Sequence, residues 1–314
     1  MDTTEKFVKT IRNKFRKLTC WHKSLLFLAI FLLFAIINRK ITPIAQEGFT
    51  QSKKYIEKNG NEVFDDFYVA LYDSLYYSTA KDNFEILTIK NNTNLSKKSK
   101  ILDVGSGTGN LVGYLSKKDY DVTGIDISSA MVKESKKKYP NADFQKKDAL
   151  VTMSFPSNTF THVTCTFFTI YYIENKQRFF SNCIEWLKPG GFLILHLVDR
   201  EQFDPVVPAS DPLLVVSPQK YVDKRITNSY VKFKDCEYKA NFSMKKSKNL
   251  GKFTEKIKSD KDGHIRQNNH KLFMPTQKSI LNQAKDVGFI LQQKIEMKQC
   301  QYDNQFIYIL TKPN

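Results

Sequence analysis

The stretch ILDVGSGTGNL, residues 101–111, constrains this chain more than any other. Ile101, Leu102 and Val104 form a short apolar run that reads as a buried strand. Gly105, Gly107 and Gly109 follow, and then a helical pattern begins. Such a turn has no Cβ in the way, so a ligand can approach its backbone closely. The rhythm continues downstream. DVTGIDI reads as a strand, SSAMVKESKKKY as a helix, ADFQKKD and HVTCTFF as strands, NKQRFFSNCIEWL as a helix, and FLILHLV as a strand after the turn LKPGG. This alternation predicts an α/β fold: a Rossmann-like, doubly wound, mainly parallel sheet. Its ligand belongs beyond the carboxyl ends of the strands, at the switch point.

The flanks add three expectations. Residues 61–90 place Phe64, Tyr68, Leu71, Tyr72, Leu75 and Tyr76 at helical spacing, which predicts an amphipathic helix or helix pair. Beyond Asp199 a proline-rich loop leads into β-like segments, giving a β-rich insertion over about 200–274 before a final helix at 276–289. Asp262-Gly263 reads as a hairpin turn within it. His264 and His270 in that hairpin read as surface groups. ILQQKIEMK and QFIYILTK form a closing pair with an antiparallel last strand.

The N-terminus is a separate object. Residues 24–37, SLLFLAIFLLFAII, carry no charge and are flanked by lysines and arginines. As a helix they reach ~21 Å against a hydrocarbon core of ~30 Å. A short transmembrane or interfacial anchor is the expectation, with an N-terminal hydrophobic helix over this segment. No A-x-A site supports a secretory signal peptide, and all-round hydrophobicity argues against a core helix. The organisation is therefore a basic N-terminus with anchor at 1–45, a polar tether at 46–60 and a folded domain at 61–314. A membrane-associated chain with its domain on the cytosolic side fits the five widely spaced cysteines, which show no CxxC or metal spacing. The net charge of +17 allows nucleic acid as a partner. It is not favoured, because the lysines are scattered along the whole chain and no nucleic-acid module is recognisable.

A dinucleotide turn wants G-x-G-x-x-G, but its third position here is Asn110. The sequence instead reads Asp103-x-Gly105-x-Gly107-x-Gly109. This resembles the first motif of the class I S-adenosylmethionine-dependent methyltransferases, [D/E]-x-G-x-G-x-G. Four further landmarks follow in order: GIDIS with Asp126, SSAMV with Met131, DFQKKDAL with Asp148, and LKPGG. The fourth strand departs from the family's common Phe-Asp start with Phe160-Thr161. The resemblance implies S-adenosyl-L-methionine as cofactor. Asp103, Gly105, Gly107 and Gly109 would surround its methionine portion and ribose, Asp126 would take the ribose hydroxyls, and Met131 and Asp148 the adenine. Thr166 and Phe167 would line its other side, with Tyr72 or Tyr76 closing over it.

The expected activity is methyl transfer, with no metal. Tyr171, Tyr172, His196 and Asp199 are the candidates for a proton acceptor, unranked. After the fourth strand TFFTIYY makes an aromatic mouth, where many nucleic-acid amino-methyltransferases carry N-P-P-[YF]. A small-molecule or lipid acceptor is the expectation, ahead of protein or RNA. The alternative from another class is a non-catalytic, membrane-tethered scaffold that keeps the fold.

Overall fold

The computed structural model describes residues 19, 21–24, 55–205 and 225–314. The chain divides into two units, Met1–Ser52 and Lys53–Asn314. Of the first, residues 21–24 form one helical turn. Beyond Ser24, the apolar helix and anchor expected at 24–37 lie outside the described residues. Among the described residues, no helix is long and apolar enough to cross a membrane.

The second unit runs β1 (Tyr55–Asn59), α1 (Asp66–Tyr76), α2 (Thr79–Asn92), β2 (Lys100–Val104), α3 (Asn110–Ser116), β3 (Asp121–Asp126), α4 (Ser129–Lys138), β4 (Asp143–Lys146), β5 (Phe160–Cys165), α5 (Thr169–Tyr172), α6 (Lys176–Trp186), β6 (Leu187–Val198), β7 (Asn228–Lys232), β8 (Cys236–Lys245), β9 (Leu250–Ser259), β10 (Ile265–Phe273), α7 (Gln277–Asp286), β11 (Ile290–Glu296) and β12 (Gln305–Thr311).

A seven-stranded sheet has the order β11-β12-β6-β5-β2-β3-β4. Strands β2 to β6 pair in parallel. β12 is antiparallel to both β6 and β11. The apolar run FLILHLV of β6 suits a strand covered on both faces: Leu193, Leu195 and Leu197 are fully buried, as is Val163 on the neighbouring β5. The helices start where the sequence supplies an oxygen for an unpaired backbone N–H. Asp65, Ser78, Ser128, Asn175 and Thr276 each accept one at the first turn of α1, α2, α4, α6 and α7. Strand order reverses between β2 and β5, so the cleft opens at their carboxyl ends.

The expected β-rich insertion is a second sheet, ordered β1-β10-β9-β8-β7. Its β9–β10 hairpin turns at Asp262-Gly263, with Gly263 at φ +66°. Its inner face carries Tyr238, Ala240, Phe242, Ile257 and Leu272, all buried. Part of this face packs on Val63, Tyr68 and Leu75 at and before α1, and part joins the core of the main sheet. Residues 55–59 were expected in the tether. They form β1, paired in parallel with β10. Four of these five residues are exposed and the fifth is half-buried. An edge strand with no buried face offers no alternation to read.

Candidate active site

The glycine turn sits at the end of β2. Gly105, Gly107 and Gly109 have φ of +72°, +54° and +83°, which L side chains rarely adopt. Their roles separate. A Cβ at Gly107 would find Tyr72 Cε1 at 3.9 Å and otherwise open space. A Cβ at Gly109 would lie 2.5 Å from Phe144 Cζ and 2.9 Å from Ser135 Cβ. Gly109 is buried and does not line the cleft, which corrects its expected place beside the cofactor. It is needed so that the start of α3 can pack on β4 and α4.

Around this turn lies a cavity of about 410 Å³, within the ~300–1,000 Å³ common for ligand pockets. Asp103, Gly105, Gly107, Asp126, Met131, Asp148, Thr166, Phe167, Tyr72 and Tyr76 all line it. Asp126 Oδ2 accepts the Gly107 N–H at 3.0 Å and Oδ1 accepts the Ser128 N–H at 2.8 Å. Burial raises its pKa, and these backbone donors oppose the rise. Each oxygen keeps a lone pair for a further donor, as a diol would supply. Asp148 Oδ1 is turned back on the Leu150 N–H at 2.8 Å. Phe167 holds φ +53° without being glycine, a strained backbone of the kind that clusters at functional sites. Asp73 docks α1 over the turn, accepting Thr108 Oγ1 and Lys138 Nζ at 2.6 Å each.

Three residues the sequence reading missed form the polar floor with Asp103: Lys81, Asp82 and Glu85 on α2. Lys81 Nζ lies 2.7 Å from Asp82 Oδ1 and 3.5 Å from Glu85 Oε2. Burial opposes its charge, but Glu85 and Asp82 outweigh that and hold its pKa above the ordinary value. Glu85 Oε1 is buried with no hydrogen-bond partner among the described residues, although Thr166 lies beside it. Burial pushes Asp103 up to about 7, against the bond from Thr164 Oγ1 at 2.6 Å. The available signal was spacing: Lys81 and Glu85 share a helix face with the buried Ile89.

Of the four proton-acceptor candidates, only Tyr172 lines the cavity. Tyr171 is fully buried, and its hydroxyl accepts the Val198 N–H at 2.8 Å, which fixes the end of β6. His196 is fully buried, and burial plus the charge of Lys81 push its pKa down to about 3, so it stays neutral inside the sheet. Asp199 is half-buried at a turn and accepts the Glu201 N–H at 2.9 Å.

Tyr172 leads into a buried chain that the sequence did not show. Its hydroxyl is 2.9 Å from His270 Nδ1, and His270 Nε2 is 2.7 Å from Glu255 Oε2. Glu255 is fully buried. Its carboxylate also accepts Tyr68, Tyr76 and Tyr238 hydroxyls at 2.8, 2.8 and 2.6 Å and Asn268 Nδ2 at 3.1 Å. Burial alone would raise its pKa, but His270, Tyr238 and Asn268 outweigh it and hold it below the usual value. Burial raises the Tyr172 phenol, so it keeps its proton. His270, expected at the surface, is therefore inside, whereas His264 is at the surface beside Asp262. Phe64, Phe168, Phe203, Phe242 and Phe253 complete an apolar half of the cavity around Tyr172. Among the described residues, no cluster of histidine, cysteine and carboxylate side chains is grouped to hold a metal.

Comparison with known proteins agrees with this geometry. Residues 101–191 match the family model described as a methyltransferase domain. The chain is 29% identical over 157 residues to a phosphoethanolamine N-methyltransferase of Plasmodium falciparum, covering 48% of this chain and 58% of that one. It is 36% identical over 107 residues to a demethylmenaquinone methyltransferase of Chlorobaculum parvum, covering 33% and 44%. The chain spans about half the length of such relatives. A solved S-adenosylmethionine-dependent methyltransferase from Clostridium acetobutylicum shares the fold, with a TM-score of 0.61 at 16% identity over 79% of this chain and 99% of that one. Residues 101–191 are thus similar to a methyltransferase domain, and the described chain around them shares its fold with a solved S-adenosylmethionine-dependent methyltransferase.

Proposed function

We propose that this chain transfers a methyl group from S-adenosylmethionine to a small-molecule acceptor. One observation carries the reading: a single cavity joins a polar half, built on the glycine turn, to an aromatic half around Tyr172. The polar half fits the cofactor by its donor set. Asp126 suits the ribose diol, Met131 and Asp148 the adenine, and Thr166, Phe167 and Tyr72 the flanks. The unpaired Glu85 oxygen and the neighbouring Lys81 suit the amine and carboxylate of an amino acid. When bound, the cofactor supplies an electrophilic methyl on a sulfonium.

The chain's own residues would do the rest. The aromatic half holds the acceptor and excludes water, and holding reactants in line is worth on the order of 7–11 kcal/mol. Tyr172 would take the acceptor's proton at its hydroxyl oxygen while passing its own to His270 Nδ1. Glu255 would stabilise the resulting imidazolium. The relatives named for phosphoethanolamine and demethylmenaquinone support an acceptor of small-molecule class. Attachment to a membrane through residues 24–37, with the domain on the cytosolic side, belongs to the same proposal. The attachment rests on that segment's sequence and the cytosolic side on the widely spaced cysteines; carbonate extraction of membranes carrying the full chain tests the first, and protease protection in sealed membranes the second.

The test of function incubates the chain with methyl-labelled S-adenosylmethionine and separate pools of amines, hydroquinones, lipids, protein and RNA. Label in the amine or hydroquinone pool, lost in Asp126→Ala, is the expected outcome. Label confined to protein or RNA would refute the small-molecule reading. No transfer to any pool by a chain that still binds the cofactor would favour the scaffold alternative.

A further inference from the structure

The outer face of the five-stranded sheet takes no part in the pocket, yet it is unusual. Side chains alternate along a strand, so the residues between the inward Tyr238, Phe242, Phe253 and Ile257 point outward. Many are lysine: Lys239 and Lys245 on β8, Lys252, Lys256 and Lys258 on β9, and Lys271 on β10. The register sets Lys239 opposite Lys256 and Lys252 opposite Lys271. Like charges directly opposite one another destabilise a sheet. None of these four lysines forms an ion pair with a described residue, and all four are exposed. The acids on this face, Glu57 and Glu237, stand at its margins on β1 and at the start of β8. Lysine that guards a sheet edge is common, but β9 is the central strand.

A shallow depression lies between Lys239 and Lys256, lined also by Tyr230, Asn241, Thr254 and Gln267. Tyr230 is 60% exposed and Tyr55 is 52% exposed, both on this face. We infer that this face docks on an anionic lipid bilayer, with headgroup phosphates taken between Lys239 and Lys256. Basic side chains near such a surface gain from its potential, and tyrosine suits a boundary that is apolar on one side and wet on the other. Single-stranded nucleic acid would want a groove with aromatics along its track. Here the two tyrosines stand on opposite edge strands, β7 and β1, of an open sheet. The cavity lies under the inner face, so docking tethers the enzyme and leaves acceptor entry to another side.

The test uses Lys53–Asn314, the unit with its own core, so that the apolar segment upstream plays no part. Co-sedimentation is measured with vesicles of phosphatidylcholine alone and of phosphatidylcholine with phosphatidylserine at about three to one. Binding is expected only to the second. Lys239→Gln with Lys256→Gln should weaken it roughly thirtyfold. Lys117→Gln with Lys118→Gln, an equal loss of charge on the other sheet's side, should weaken it far less. The Lys239/Lys256 variant should melt no lower than the parent, because a repulsive pair is removed. No binding to the anionic vesicles, or equal loss in both variants, would overturn the proposal. So would vesicle binding that survives the Lys239/Lys256 change while binding to polyuridylate is lost.

Discussion

The seven-stranded sheet brings its polar groups to the cavity from turns at strand ends, so Asp103, Gly107, Asp126 and Asp148 fall within one stretch of chain. The five-stranded sheet brings Glu255 and His270 from strand interiors, and Glu255 meets Tyr68 across 187 residues of sequence. The first kind of site is a local motif on a scaffold. The second exists only after two distant segments have packed. Its single carboxylate faces four side-chain donors besides His270. The glycine-turn half can therefore lose one group and keep its shape, whereas the aromatic half depends on one buried charge. A buried charge is costly unless it is fully partnered.

The largest expected effect separates the halves by turnover. Tyr172→Phe should cut methyl transfer by roughly 10²–10⁴-fold while leaving cofactor affinity unchanged, if it carries the proton. Steady-state rates and calorimetry on one preparation measure both. Loss of affinity together with rate would place Tyr172 on the cofactor side instead.

Next is a pH effect on the polar floor. The Asp103 carboxyl is held up at about 7 by burial, so folding favours its protonated form. That contribution is complete below the unfolded value near 4 and is lost as pH rises through about 7, at a cost of a few kcal/mol. Asp103→Asn should flatten this part of the dependence of Tm on pH. An unchanged slope in the variant would refute the assignment.

Glu255→Gln should then destabilise the domain by about 3 kcal/mol, because an amide offers one acceptor oxygen to donors that now face two. Denaturant unfolding reads it, and a loss well under 1 kcal/mol would show that the network does not hold α1 and α5 to the five-stranded sheet. Asp126→Ala should lower cofactor affinity by about thirtyfold, the worth of about 2 kcal/mol of bonds to a charged group, with little change in Tm. The smallest effect lies within the glycine turn. Gly107→Ala should cost about 1 kcal/mol of backbone strain and mainly weaken cofactor binding. Gly109→Ala, meeting Phe144, should cost more stability. Equal costs would deny the two glycines their separate roles.

This contrast also explains what could be read from sequence. The glycine-turn half was legible because its residues sit at fixed offsets from strand ends: Asp126, Met131, Asp148, Thr166 and Phe167 all line the cavity. The same spacing could not tell Gly107 from Gly109, since only the partner Phe144 on β4 distinguishes them. Of the aromatic half, TFFTIYY announced Phe168 and Tyr172, but the Glu255–His270 network was not legible, because no local motif marks a strand glutamate. One signal was present in LGKFTEKIKS. Glu255 alternates with Phe253 and Ile257 and so shares their buried face. An acid on a buried face demands partners, although nothing nearby in sequence says that Tyr68 and His270 supply them. β1 was misread as tether because an exposed edge strand has no apolar pattern.

The central claim is that the glycine-turn half of the cavity holds S-adenosylmethionine independently of the acceptor half. Calorimetric titration of the chain with S-adenosylmethionine and with NADH, repeated on Asp126→Ala and Tyr172→Phe, tests it directly. The account expects micromolar binding of S-adenosylmethionine alone, weakened in Asp126→Ala and intact in Tyr172→Phe. A folded chain that binds no S-adenosylmethionine, or binds NADH equally well, would contradict it.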